Sequence, residues 1–79
     1  MEKVVIYSTP SCVYCKMAKE FFQKHSIAYE EKDVASDLPA REEMIAKSGQ
    51  MGVPVIRVGE NTIIIGFNQS RLKQSLGIQ

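Results

Sequence analysis

The sequence predicts an α/β fold: a four-stranded mixed sheet, with two parallel strands plus an antiparallel hairpin, flanked by three helices. Three observations predict it. β-branched and aromatic residues gather in short runs at 3–8, 28–34, 53–58 and 62–65, whereas across 12–25 the apolar residues recur about every 3.6 positions. The first two runs are separated by that helix-length segment, so a right-handed crossover makes them a parallel pair. The last two are separated only by Gly59-Glu60-Asn61, a hairpin-length loop that makes them antiparallel neighbours.

Each element has its own local cause. Lys3 to Ser8 reads as a buried strand that runs into the turn Thr9-Pro10-Ser11. In residues 12–25, Tyr14, Met17, Ala18, Phe21, Phe22 and His25 form the apolar face of an amphipathic helix, with Lys16, Lys19, Glu20, Gln23 and Lys24 opposite. Glu20 and Lys24 stand at the favourable i, i+4 spacing for an ion pair. Ala28 to Val34 is extended but carries Glu30, Glu31, Lys32 and Asp33, which suits an edge strand. A second helix starts with Ser36 or Asp37 as N-cap, tolerates Pro39 in its first turn and stops at Gly49, with Lys47 in the last turn. Val53–Val58 and Thr62–Ile65 are the hairpin strands. A final helix, Gln69 to Leu76, carries Leu72 and Leu76 on one face and ends at Gly77. Tyr29, Phe21, Phe22 and the methionines are read as packing.

Composition bounds the function. A chain of 79 residues makes a single domain, 1–79. Ten basic against nine acidic residues leave a net charge of +1 and no single-signed field for nucleic acid or an anionic membrane. The longest purely apolar runs, Val4 to Ile6 and Ile63 to Ile65, are far too short to span a bilayer. Met1-Glu2-Lys3 leads straight into the first strand without an apolar leader, so a cytoplasmic location and a monomer are expected. Arg57, Arg71 and Lys73 have only Glu60 as acidic company; this reads as solvated surface rather than a docking face.

The chemistry lies in Cys12-Val13-Tyr14-Cys15, placed where the first strand hands over to the first helix. At a helix N-terminus, unpaired N–H groups and the positive end of the macrodipole favour a thiolate at Cys12. Cys15, one turn in, is the less exposed and is close enough to attack a mixed disulfide formed on Cys12. The implied cycle is attack by Cys12 and resolution by Cys15. Lys16, one turn on from Cys12, reads as a solvated helix-face residue. Three other readings compete. A structural disulfide closing so short a loop adds little stability and is disfavoured in a reducing compartment. Zinc finds only half of its ligands here, with His25 out of reach at the far end of the helix and best read as a helix-terminal residue, so no metal site is expected. Two inert cysteines do not suit a strand-to-helix turn behind Thr9-Pro10-Ser11.

The chain resembles glutaredoxins and glutaredoxin-like proteins of the thioredoxin fold along essentially its whole length. Val5 to Lys16, Gly49 to Ile56 and Ile65-Gly66-Phe67 carry the resemblance. It implies a cis Pro54, with Val53 offering its backbone to an extended substrate like an added strand. Tyr14 matches the family motif and Val13 replaces its usual proline. Members commonly place cations at the positions of Thr9 and Met51, facing the glycine carboxylate of glutathione; of that cluster only Gln50 remains. The segment that receives the γ-glutamyl end is here Gly66-Phe67-Asn68, without the family's following acids. The implied activity is a dithiol thiol-disulfide oxidoreductase acting on protein disulfides and glutathione mixed disulfides, with no tightly bound cofactor and glutathione as co-substrate. Gly66-Phe67 and Cys-Val-x-Cys are also similar to glutaredoxin-like electron donors to ribonucleotide reductase, which are recharged by thioredoxin reductase. From other classes, an iron-sulfur cluster carrier and a pure interaction domain remain as alternatives.

Overall fold

A strand that is apolar on both faces has to lie inside a sheet. Val4–Ser8 (β1) does so, with all five residues buried. In the computed structural model, which describes residues 3–78, β1 pairs in parallel with Glu30–Asp33 (β2) and antiparallel with Val55–Val58 (β3), while Thr62–Ile65 (β4) closes the sheet beyond β3. The order is β2-β1-β3-β4, so the expected thioredoxin-type sheet is present and the charged β2 lies at an edge. Gly59 turns the hairpin at φ +69°. Two strands are shorter than their apolar runs suggest. β3 begins only at Val55, since Pro54 has no N–H for the ladder. β2 keeps only the four residues in register with β1.

Register sorts the side chains. Ile6, Ile56 and Ile64 stand opposite one another across three strands. With Val4 and Val58 they form one face, covered by Ala18, Phe21 and Phe22 of helix Val13–Lys24 (α1) and Leu72 of helix Gln69–Leu76 (α3). Val5, Tyr7 and Val55 form the other face, covered by Ala40 and Met44 of helix Leu38–Ser48 (α2). Asp37 caps α2, accepting from the Ala40 N–H at 3.1 Å, and Gly49 ends it in the left-handed conformation, φ +74°.

Two expectations need correction. The buried stripe of α1 is Cys15, Ala18, Phe21 and Phe22, and Tyr14 (61 % exposed) and Met17 (41 %) lie beside it in solvent. Met17 stands at the margin of the stripe, whereas Tyr14 falls on its side but in the first turn of α1, at the helix end. Met51 is likewise exposed and Met44 buried, while Met1 lies outside the described residues. Glu20 and Lys24 form no ion pair; the α1 lysine that finds a carboxylate is Lys19, 2.8 Å from Glu31 on β2. Arg57 shares its sheet face with Val5 and Val55, on the α2 side, whereas Arg71 and Lys73 ride on α3 across the sheet. The three cations make no common face. Among the described residues, no helix is long and apolar enough to cross a membrane.

Candidate active site

β1 ends at the fully buried Ser8, and the chain then turns so that the Cys12 N–H donates to the Thr9 carbonyl at 3.3 Å. Cys12 is thereby left with extended dihedrals, φ −85° and ψ 114°, as the N-cap of α1. Its Sγ accepts from the Cys15 N–H at 3.1 Å. An N-cap oxygen normally fills that position, because the first helical N–H groups have no partner within the helix. Here a sulfur takes it. No acidic residue occupies the first turn of α1 to compete for those donors.

Cys15 faces inward and is 1 % exposed, whereas Cys12 is half-buried; both are free thiols. Burial, with the hydrogen bond and charge of Cys12 behind it, pushes the Cys15 thiol up to about 12; the Thr9 backbone and the Lys19 ammonium pull the other way. The two sulfurs thus differ in access, and burial makes loss of the Cys15 proton costly. Val13 and Tyr14, between them, are exposed at the rim.

The other candidate residues come from two distant segments. The Val53–Pro54 peptide bond is cis, as the resemblance implies, with Pro54 buried and Val53 half-buried. Gly66, at φ +81°, donates its N–H to the Pro54 carbonyl at 2.8 Å, which ties the end of β4 to the start of β3. Phe67 is half-buried and meets Phe21 of α1 edge-on at 5.9 Å between ring centroids. Asn68 is exposed and caps α3, accepting from the Arg71 N–H at 3.1 Å. Gln50 does not stand free. Its amide is folded onto its own loop, accepting from the Gly52 N–H at 2.6 Å and donating to the Gly52 carbonyl at 3.0 Å.

Spacing along the chain missed one residue. Arg41 of α2 lines a cavity of about 250 Å³ together with Thr9, Met51 and Val53, so a cation stands beside positions where the family pattern leads one to look for cations. The only signal was its place one residue after the buried Ala40, which puts it at the margin of the helix face that meets the sheet. Among the described residues no three His, Cys, Asp or Glu side chains converge, and His25 is the C-cap of α1, at the opposite end from Cys12.

Comparison with known proteins agrees with this architecture. The glutaredoxin family model matches residues 4–63. The chain is 45 % identical over 69 residues to a glutaredoxin-like 8.6 kDa protein in the rubredoxin operon of Clostridium pasteurianum, covering 87 % of this chain and 91 % of that one. It is 32 % identical to the glutaredoxin-like protein NrdH of Lactococcus lactis over 87 % of this chain and 93 % of the relative. A glutaredoxin of Archaeoglobus fulgidus superposes with a TM-score of 0.86 at 25 % identity, over 96 % of this chain and 87 % of that one.

Proposed function

The chain belongs to the glutaredoxin family of thiol oxidoreductases, and from that premise we propose that it reduces protein disulfides and glutathione mixed disulfides with Cys12 as nucleophile and Cys15 as resolver. The observation that carries this reading is the Cys12 sulfur standing as the N-cap of α1, half-exposed, against a Cys15 thiol that is buried and pushed up to about 12. Cys12 attacks a substrate disulfide, one sulfur of which bonds to it while the other departs as a thiol. Cys15 then attacks Cys12, closing the Cys12–Cys15 disulfide and releasing the second thiol. Two glutathione molecules restore the dithiol, one bonding to Cys12 and the second leaving with it as oxidised glutathione.

Glutathione fits the surroundings of the pair. An extended tripeptide runs along the Val53 main chain beside Pro54. Its glycine carboxylate meets Arg41 in the cavity shared with Thr9 and Met51, and its γ-glutamyl carboxylate meets the N–H groups at the start of α3, next to Gly66, Phe67 and Asn68. Tyr14 and Val13 cover the sulfur from the other rim. A second reading, recharging by thioredoxin reductase, is favoured by the likeness to an NrdH protein and by the lack of any acid in the first turn of α3 to receive a γ-glutamyl amino group.

The test takes two variants and two reductants. Cys12→Ser should lose all disulfide reductase activity. Cys15→Ser should keep reduction of glutathione mixed disulfides but lose that of protein disulfides. Activity retained in Cys12→Ser overturns the assignment. Recharging of the oxidised protein by thioredoxin reductase and NADPH alone, with none by glutathione and glutathione reductase, replaces the first reading by the second.

A further inference from the structure

Behind the cysteine pair the fold places a second polar group that the reaction as described does not use. Ser8, the last residue of β1, is fully buried, and its hydroxyl donates to Glu31 Oε2 on the neighbouring strand at 2.8 Å. The same carboxylate oxygen accepts from Lys19 Nζ at 2.8 Å. Lys19 lies four residues after Cys15 on α1, a spacing that stacks two side chains on one helix face with about 5–6 Å between their Cβ atoms. Its side chain is partly covered, 28 % exposed to water. A lysine without a partner at this place extends its ammonium into solvent. Glu31, itself oriented by Ser8, holds it against the β2 edge of the sheet instead.

We propose that Ser8, Glu31 and Lys19 form a positioning device for the resolving step, holding an ammonium beside the buried Cys15 thiol as that thiol turns into the attacking thiolate. The proposal rests on the reading of Cys15 as the resolver. In the step the Cys15 S–H bond breaks and its electron pair forms the bond to Cys12 Sγ. The bond from Cys12 to the substrate sulfur breaks, and the released proton goes to the departing thiolate or, where that thiolate is a weak base, to water. Lys19 stays protonated throughout and supplies only its field. A buried thiolate is costly unless an opposite charge faces it, and the cluster holds that charge in place before the reaction starts.

The groups that act on Cys15 are few: Cys12 and the Thr9 backbone at the turn, and Lys19 on its own helix. Cys12 and burial oppose ionisation, while Lys19 is the only charged side chain among them that favours it. Lys19 is in turn faced by Glu31 and Tyr29, and the hydrogen bond it donates to Glu31 raises its own proton affinity, so it remains an ammonium. Glu31 is held below the usual carboxylate range by Lys19 and then Ser8, so it remains a carboxylate. Each member therefore carries at neutral pH the charge its role requires.

The experiment follows the resolving step alone. Cys12 is loaded with a chromogenic aromatic thiol, and release of the coloured thiolate by Cys15 is recorded by stopped flow across a range of pH. Lys19→Gln should slow release about three- to tenfold near neutrality, since a less acidic thiol is less ionised but a stronger nucleophile once ionised. It should also move the rise of rate to higher pH. Lys19→Arg should restore most of the rate. Glu31→Gln, which frees Lys19 from its anchor, should slow the same step. The rate of loading, which involves Cys12 alone, serves as the internal reference for an intact fold. Wild-type release rate and pH profile in Lys19→Gln, with loading intact, overturns the proposal and leaves Cys15 as resolver. Unchanged release in Cys15→Ser overturns both.

Discussion

Cys12 stands at a position that other proteins fill with serine or aspartate for stability. The N–H that would bond to a capping oxygen bonds to its sulfur instead, so the contact that closes the helix end also turns a donor onto the sulfur of the proposed nucleophile. The same economy governs the ionisable residues inside the sheet. Tyr7 is pushed up to about 12, first by burial and then by its hydrogen bond to Glu43, and the Glu43 carboxyl is held below its ordinary range by Tyr7 and then by Lys32 at 3.0 Å. Glu31 is held down in the same way by Lys19 and Ser8. The signs are opposite. A phenol that binds its proton more tightly when folded contributes stability below its ordinary value of 10.0 that is lost as pH rises toward about 12. Carboxyls that release theirs more readily when folded contribute stability above their ordinary 4.5 that is lost as pH falls below it. Urea unfolding measured against pH should therefore give a plateau bounded on these two sides. Tyr7→Phe should lower the plateau by about 1 kcal/mol, since one partner of the Glu43 hydrogen bond is gone, and weaken the alkaline decline, the remainder of which comes from the Cys15 thiol, also pushed up to about 12.

At the level of elements, the helix ends were the most legible features, because each is signalled by a residue whose backbone or side chain does one job. Asp37 and Gly49 bracket α2, and Asn68 and Gly77 bracket α3, where the local residues place them. Asp37→Ala should cost about 1 kcal/mol, read as a lower urea midpoint at unchanged slope, because the Ala40 N–H loses its acceptor. The faces of the helices were less legible. An apolar stripe on α1 names six candidates, and where the core lies along and around the helix decides which of them are covered; Tyr14 in the first turn and Met17 at the stripe's margin are exposed. Surface ion pairs were not legible at all. Glu20–Lys24 had the right spacing, yet the partner Lys19 took lies on another element, brought near only when α1 crosses from β1 to β2.

On the scale of the whole molecule, the candidate site draws on the β1–α1 turn, the start of β3, the end of β4 and α2. The Gly66–Pro54 hydrogen bond joins two of these, and the cavity beside Val53 brings in Arg41 from a third. Arg41→Ala should raise the KM for a glutathione mixed disulfide severalfold at nearly constant kcat, and leave a cysteamine mixed disulfide, which has no carboxylate, unaffected. Equal losses on both substrates would remove Arg41 from carboxylate binding. The element order, the parallel and antiparallel pairings, the edge position of β2 and the cysteine motif at the mouth of α1 were determined by the sequence alone, because periodicity, short loops and capping residues act over a few positions. The tertiary structure alone decided that β1 lies between β2 and β3, that Gln50 folds onto its own loop, that Arg41 stands beside Val53 and that Lys19 is anchored to Glu31 on β2. Apart from the Gln50 loop, these contacts join residues far apart in the chain, where no local spacing or cap announces them.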